Sequence, residues 1–486
     1  MDTNNMNTSF ESELTSKVNQ LDRQRKNMLK NGVRLTLEDI VNKIEPHTQE
    51  ITALMIGKIQ KGMLQNLAAN IIVSSTDGRV RVPALSEASD KTSPMWVYVG
   101  THWEIVMHDQ LIFDFIRDAC RKMELSDEFI DDVSFFKKLK KQVELKLSRY
   151  TESEEDENVV LVNFINGTLE ITRDGERHFR QHRRKDYLRY VLPYQYNPQA
   201  GCPQFEKFLS EVLPQQCLHK TIIEYMAYCL VPWLHIEKIL ALLGTGSNGK
   251  SVLLKVIESL LGKTNVAHES LTDLTYNESH RANIDGRLVN IASENEGRIN
   301  DAIFRTIASG EPVSARLYYS QPYTMTRYAK MVFAFNKMPS IKSGYANMRR
   351  WLMVKFDVCI TEEQADPDLG EKLTLELPGI MNMVLSVLPG LLECKKFSKN
   401  EALEQAVKEL ETRNDAVLQF LEDRCETNSA TFTKGSDLFK AFTEYCKLNN
   451  YNMMTNREFY RRLEDKYPFK MVNNQKAFNI RVRYED

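Results

Sequence analysis

A chain of 486 residues is long enough for two to four domains, each with its own core, and its 42% hydrophobic and 27% charged residues are ordinary soluble-globular values. The net charge of −2 excludes bulk attraction to nucleic acid or to anionic membrane, so any nucleic-acid site must be a local basic surface. The 8 cysteines contain no C-x-x-C pair, which argues against a zinc site and a disulfide framework and for a reducing compartment. The polar N-terminus has no signal-peptide core and no apolar run approaches about 18 residues, so an intracellular protein without a membrane partner is expected.

Residues 1–9 are polar and read as disordered. From Phe10 the spacing predicts a helix with Leu14, Val18, Leu21 and Met28 on one side, interrupted by Arg25. Two readings stand, an amphipathic helix packed on its own domain or a self-association helix. Residues 36–70 continue as helix, and 74–95 read as loops and short strands. Trp96–Trp103 has strand character, and helices are predicted around Gln110–Met123 and Phe135–Tyr150. The acidic run Thr151–Glu157 reads as a solvated loop. Val159–Phe164 is a strand ending in an Asn166-Gly167 turn signal, with Leu169 and Ile171 returning. Arg177–Lys185 is the densest basic cluster, either a solvated loop or a contact for a phosphate backbone. Cys202–Val231 is largely helical.

The apolar run Ile239–Leu243 reads as a buried strand, and Gly244-Thr-Gly-Ser-Asn-Gly-Lys-Ser251 follows it, matching G-x-x-x-x-G-K-[ST] at every required position. Val252, Leu253, Val256, Ile257, Leu260 and Leu261 then share one helical face, and Gly262 ends the helix. Backbone N–H groups of such a loop and the positive end of the helix dipole hold a triphosphate. Gly244, Gly246, Asn248, Gly249, Lys250 and Ser251 are the candidate nucleotide-binding residues. Lys250 reaches toward the β and γ phosphates, and the Ser251 hydroxyl is a candidate Mg²⁺ ligand. The motif predicts ATP or GTP binding without saying what the energy is used for.

Downstream, Gly286–Glu296 is a strand ending in acids and Met331–Asn336 is a strand ending in a polar residue. Between them lie a short helix (Asp301–Ser309, stopped by Gly310) and a hairpin (Val313–Met325). Strands alternating with helices around a phosphate loop predict an α/β domain with a mainly parallel sheet. Beyond about residue 395 the pattern is helical, with Leu438, Phe439, Phe442 and Tyr445 on one face. Thr455 is placed to cap a helix that carries Arg457, Arg461 and Arg462 outward and Phe459, Tyr460 and Leu463 inward. Phe469–Val472 and Ala477–Val482, joined across Asn473-Asn474, form a predicted terminal hairpin. This order resembles a winged helix-turn-helix, and residues 455–486 hold eight Lys/Arg against five Asp/Glu. The unit is either a DNA-binding domain or an ordinary basic surface.

Together these blocks resemble the phage- and plasmid-encoded primase/helicase family, which carries a superfamily III helicase domain of the AAA+ type. The resemblance runs from about Trp96 to the C-terminus. It rests on Asn163-Phe-Ile-Asn-Gly167, Cys202–Leu209, the phosphate loop with its Asn248, Ser309–Arg316 and Arg349–Phe356. It implies a mostly helical N-terminal region (1–95), a helicase-associated domain (96–235), the ATPase domain (236–395) and a winged-helix-like DNA-binding domain (396–486). Glu294 and Glu296 would be the Walker B acids, with Glu294 polarising water or holding Mg²⁺; which of the two is the base stays open. Asn336 matches the sensor asparagine. Arg350, with Arg349 as the alternative, would reach the neighbouring subunit's ATP site, which requires a ring, a homo-hexamer. The hairpin before the sensor strand would grip single-stranded DNA in the pore. It has no basic residue near its tip, so Arg316 and Arg327 are the nearest cations and Tyr319 or Tyr323 would stack on bases. The residues before the match are too few for a primase catalytic domain, so a primase or polymerase would be a separate partner. The function implied is an ATP-dependent replicative DNA helicase of a mobile element in the bacterial cytoplasm. The alternative is an ATP-dependent initiator or loader that remodels duplex origin DNA without processive unwinding. An unrelated phosphate-loop kinase would explain Gly244–Ser251 but neither Arg349-Arg350 nor the C-terminal pattern.

Overall fold

The computed structural model describes residues 31–51, 61–82, 95–106, 109–148, 157–293, 299–317, 322–336, 345–361, 363, 365–414, 416–427, 431–449, 453–464, 466–472 and 475–483. The helix expected from Phe10 and the acidic run over 151–156 lie outside them.

Five parallel strands organise the centre of the chain. They are β1 (Ile239–Leu243), β2 (Val266–Ala267), β3 (Val289–Ala292), β4 (Lys330–Phe335) and β5 (Trp351–Lys355), in the order β5-β1-β4-β3-β2. Both faces of this sheet are covered, which is why β1 and β4 read as unbroken apolar runs rather than alternating ones. On one face Leu240, Leu242, Val332, Ala334, Leu352 and Val354 join a core with the helices Pro203–Val212, Gln216–Cys229, α1 (Lys250–Leu261) and Leu377–Cys394. On the other, Ala241, Phe333, Phe335, Trp351 and Met353 pack with the helix Asp301–Ser309 and the hairpin strands Val313–Ala315 and Tyr323–Met325. Helix, hairpin and Gly310 stop fall where the sequence places them.

The cores divide elsewhere than at the boundaries expected at 95/96 and 235/236. Residues from Leu37 to Leu147 share one core, so the helices before residue 76 pack with the strands and helices after 95. Residues from Val160 to Leu234 belong instead to the core of the parallel sheet. Trp96–Trp103, which reads as having strand character, falls in a tight hairpin of Met95–Tyr98 against Trp103–Val106, turning through Gly100 at φ 92°. A third core, from Ala416 to Ile480, holds three helices (Ala416–Arg424, Gly435–Leu448, Asn456–Glu464) and a three-stranded sheet whose central strand is Gln475–Phe478. The expected strand over 477–482 is split, since Ile480–Val482 pairs with Cys425–Thr427.

Leu377–Cys394 is a helix of 18 residues with mean hydropathy 1.5, long and apolar enough by length and composition to cross a membrane. Here its Ile380, Val384, Leu388 and Leu391 face is buried in the sheet's core. Pro389 inside the helix leaves the Leu385 carbonyl without its usual donor. Arg177 supplies one, its Nη2 donating to Leu385 O at 2.9 Å.

Lys330, at the start of β4, is buried. Its Nζ donates to Leu234 O at 2.6 Å and Pro232 O at 3.3 Å and lies 4.2 Å from the centre of the Tyr228 ring. Burial pushes the ammonium down to about 7, while an unfolded lysine titrates near 10.4. Between those values the unfolded chain binds more protons than the folded one, so this group makes stability rise with pH. Lys330→Met is expected to remove a slope of up to about 1.4 kcal/mol per pH unit between pH 7 and 10. Chemical unfolding of both proteins across that range checks it; parallel pH profiles would contradict it.

Candidate nucleotide-binding site

The phosphate loop leaves the C-terminal end of β1 and enters α1 at Gly249. In the strand order β5-β1-β4-β3-β2, the chain leaves β1 for the far edge and returns, so β1 stands at the point where ligand crevices form in open α/β sheets. Gly246, Ser247 and Gly249 have φ of 113°, 45° and 85°, a succession that turns backbone N–H groups into one concavity. Two glycines are required by space. A Cβ at Gly244 would stand 2.1 Å from Asn248 Nδ2 and 2.8 Å from Phe356 O, and one at Gly249 would stand 2.6 Å from Val212 Cγ1.

Inside the loop, Lys250 and Asn248 are both buried. Lys250 Nζ donates to Gly244 O at 2.6 Å and to Asn248 Oδ1 at 3.0 Å, and Asn248 Nδ2 donates to Phe356 O at 3.2 Å. Asn248 is therefore a strut that ties the lysine to the end of β5. Burial lowers the Lys250 ammonium below its ordinary value. No side chain caps the first turn of α1, so its leading N–H groups are left for a ligand.

A cleft of about 1050 Å³ opens over this loop. Ser251 lines it together with Ser293, at the end of β3, and Asn336, at the end of β4. Register explains the convergence, because Leu243 pairs with Phe335 and Ala292 with Phe333, so β1 and β4 end level and β3 ends two residues short of them. The donor set fits Mg·ATP, with uncapped helical N–H groups, a buried lysine and a hydroxyl at one mouth. Glu294 and Glu296 lie outside the described residues, immediately after Ser293. The opposite wall was not legible in the sequence. Gln204, Lys207 and Phe208 line the cleft from the helix Pro203–Val212, whose first N–H groups are capped by Glu376 (Oε1 to Gln204 N 3.2 Å, Oε2 to Phe205 N 3.0 Å). An acceptor 172 residues downstream of Gln204 leaves no local signal.

The two arginines differ in exposure. Arg350, preferred in the sequence, is the buried one, with its side chain 8% exposed against 41% for Arg349. Its Nη2 donates to Ser309 Oγ at 3.0 Å and its Nη1 to Ala346 O, while Arg349 Nη2 pairs with Glu237 at 2.6 Å. Both precede β5 and stand beside Lys238, six residues along β1 from Gly244. That is roughly 20 Å from the loop of the same chain.

The DNA candidates are dispersed. Tyr319 lies outside the described residues; Tyr323 is half-buried and its hydroxyl donates to Asp285 Oδ2 at 2.9 Å. Arg316, in the connection between the hairpin strands, and Arg327, two residues after the second strand, are both exposed. Arg461 and Arg462 both pair with Glu458, at 2.8 and 3.2 Å, and hold its carboxyl down at about 2, so much of their charge is spent within the helix. The i, i+3 and i, i+4 spacing of that trio was the available signal. Arg457 is exposed.

Comparison with known proteins bears on three stretches. Residues 87–214 match a family model described as D5 N terminal like, 242–350 one described as a family of unknown function, and 412–484 one described as poxvirus D5 protein-like. A protein of Acanthamoeba polyphaga mimivirus, L207/L206, a helicase by assignment only, is 23% identical over 201 residues, 39% of this chain. The match spans only 20% of that relative's length. Among solved structures, the apo structure of the NrS-1 C terminal region aligns over 86% of this chain and 99% of its own, with 8% identity and a TM-score of 0.48. Its A form aligns over 85% and 99%, with 8% identity and a TM-score of 0.45.

Proposed function

The chain belongs to the phage and viral primase–helicase family, and from that premise we propose that it is an ATP hydrolase that drives a replicative DNA helicase. The observation that carries this reading is the cleft at the ends of β1, β3 and β4, where Lys250, Ser251 and Asn336 converge on one phosphate-binding loop. The loop N–H groups and Lys250 would hold the β and γ phosphates, and Asn336 would orient the attacking water. Mg²⁺, held by Ser251 and Glu294, would neutralise charge on the phosphates.

Arg349 is assigned as the residue that completes a neighbouring site. It is the exposed member of its pair, just ahead of the edge strand β5, and too far from its own loop to act there. A homo-hexameric ring follows from that role, with single-stranded DNA in the pore beside the Val313–Met325 hairpin. The C-terminal unit, three helices followed by a hairpin, supports the winged-helix reading, with Arg457 as its exposed helical contact.

The test is paired. Single-stranded DNA is expected to raise ATP turnover several-fold, and ATP is expected to drive strand displacement on a forked substrate. ATP turnover indifferent to DNA would overturn the helicase reading. Turnover stimulated by DNA without displacement would move the assignment to an initiator or loader.

A further inference from the structure

A second concavity lies at the other end of the parallel sheet, about 420 Å³ in volume. Its floor is built from residues entering the strands, Pro232 and Trp233 before β1, Gly286–Leu288 before β3, and Arg327 and Tyr328 before β4. Its wall is the segment Arg183–Tyr190 together with the strand Val159–Phe164. The phosphate loop sits at the C-terminal strand ends, so this cleft is distinct from the nucleotide site.

Charge in the cleft is one-sided. Arg183, Lys185, Arg189, Arg287 and Arg327 line it and are all exposed. Glu170 and Asp186 are its lining carboxylates, and both are engaged by Arg180, at 2.5 and 2.8 Å. Asp285 stands nearby and accepts from Tyr323. These cations come from three separated stretches of a chain whose net charge is −2. Such a concentration at one concavity is the footprint of a polyanion site.

The wall is held rigid. The Trp103 and Tyr187 rings stack within 16° of parallel, and the Arg81 guanidinium packs against both, 4.7 Å from each centre. The Arg189 guanidinium lies 4.5 Å from the Trp96 ring centre. Trp103 anchors the segment by two bonds, Nε1 to Arg184 O at 3.0 Å and N to Leu188 O at 2.8 Å. The cations are thus presented from fixed backbone rather than from a loose loop. Tyr187 and Trp233, both half-buried, put aromatic surface into the same concavity.

We propose that this cleft binds single-stranded nucleic acid, with Arg183, Lys185, Arg287 and Arg327 on consecutive phosphates and a base against Trp233 or Tyr187. Unpaired bases can use recessed aromatic faces, whereas a duplex hides its base faces in the stack. The cleft also touches the hairpin proposed for the pore. Arg327 follows its second strand by two residues, Arg327 O accepts from Gly286 N at 3.1 Å, and Tyr323 of that strand is bonded to Asp285. The basic wall therefore adjoins the base of that hairpin. The proposal rests on the DNA-helicase reading and adds a second contact outside the pore.

The test uses the full chain, a fluorescent oligo-dT and anisotropy titrations from about 50 to 200 mM salt. The double variant Arg183→Ala, Lys185→Ala is expected to bind at least tenfold more weakly, and its log–log salt slope should be shallower by about 1.4, from two lost phosphate contacts. Thermal melting of the variant shows whether it is folded. Independently, an oligonucleotide carrying 5-iodouracil is expected to crosslink wild-type protein at the peptide bearing Tyr187 or Trp233. A folded variant with unchanged affinity and slope, or crosslinks confined to other peptides, overturns the proposal while leaving the helicase reading intact. Equal losses for oligo-dT and a blunt duplex overturn the single-strand assignment. Absence of any oligo-dT binding by wild-type protein overturns both readings together.

Discussion

Lys250→Ala is expected to lower ATP turnover by on the order of 10²–10³, the usual cost of removing one preorganised group aimed at developing negative charge. The magnitude follows from where the ammonium is held. Lys250 Nζ is buried and rests on Gly244 O and Asn248 Oδ1, two neutral acceptors that cannot cancel its charge. Burial already lowers its proton affinity, which is the sign of a cation short of a counter-charge. A triphosphate supplies that counter-charge, and the transferring γ-phosphoryl benefits from it most. Alanine removes the cation and leaves the strut Asn248–Phe356 in place, so the loop should keep its shape. Phosphate release under saturating ATP is the measurement, with melting temperature as the control. Turnover within a few-fold of wild type in a folded variant would remove Gly244–Ser251 as the site of chemistry.

Local pattern made much of this site legible. A strand, a glycine-rich turn and an amphipathic helix are each fixed within about ten residues, so β1, the loop, α1 and its Gly262 stop stand where periodicity puts them. Asp301–Ser309 with its Gly310 stop is legible for the same reason. What periodicity cannot carry is partnership across the chain. Nothing near Pro203 announces that Glu376 caps that helix, and nothing near Trp96 shows whether eight residues of strand character run straight or fold back at Gly100. The cores show the same limit. Leu37 and Val143 join one core across the boundary drawn at residue 95, because hydrophobic faces choose partners by three-dimensional fit. Burial of one arginine rather than its neighbour is likewise a tertiary fact. Arg349 and Arg350 are identical in type and adjacent, and the sheet edge decides which of them turns inward.

That decision gives the second large effect. Arg349→Ala is expected to cut turnover by about 10³ or more, the scale of an arginine finger supplied by a neighbouring subunit. Arg350→Ala is expected to act on stability instead, costing about 1.5–3 kcal/mol for lost charge-assisted bonds. The division rests on geometry. Arg350 spends its guanidinium on Ser309 Oγ and Ala346 O within its own subunit and is nearly sealed from solvent. Among the described residues Arg349 has one ion-pair partner, Glu237, itself 40% exposed, so the side chain can leave it at small cost. Neither arginine can serve its own loop from roughly 20 Å away along β1. Mixing separates the roles. Arg349→Ala and Lys250→Ala proteins, each inactive alone, should regain turnover when combined, because some junctions then pair an intact loop with an intact Arg349. Arg350→Ala protein should instead show a lowered melting temperature and retain turnover while folded. If Arg350→Ala is fully folded and inactive while Arg349→Ala turns over normally, the finger is Arg350 and it must leave its buried seat when rings form. If mixed rings assemble and no combination of either arginine variant with Lys250→Ala recovers activity, catalysis is completed within one subunit and the trans arrangement is wrong.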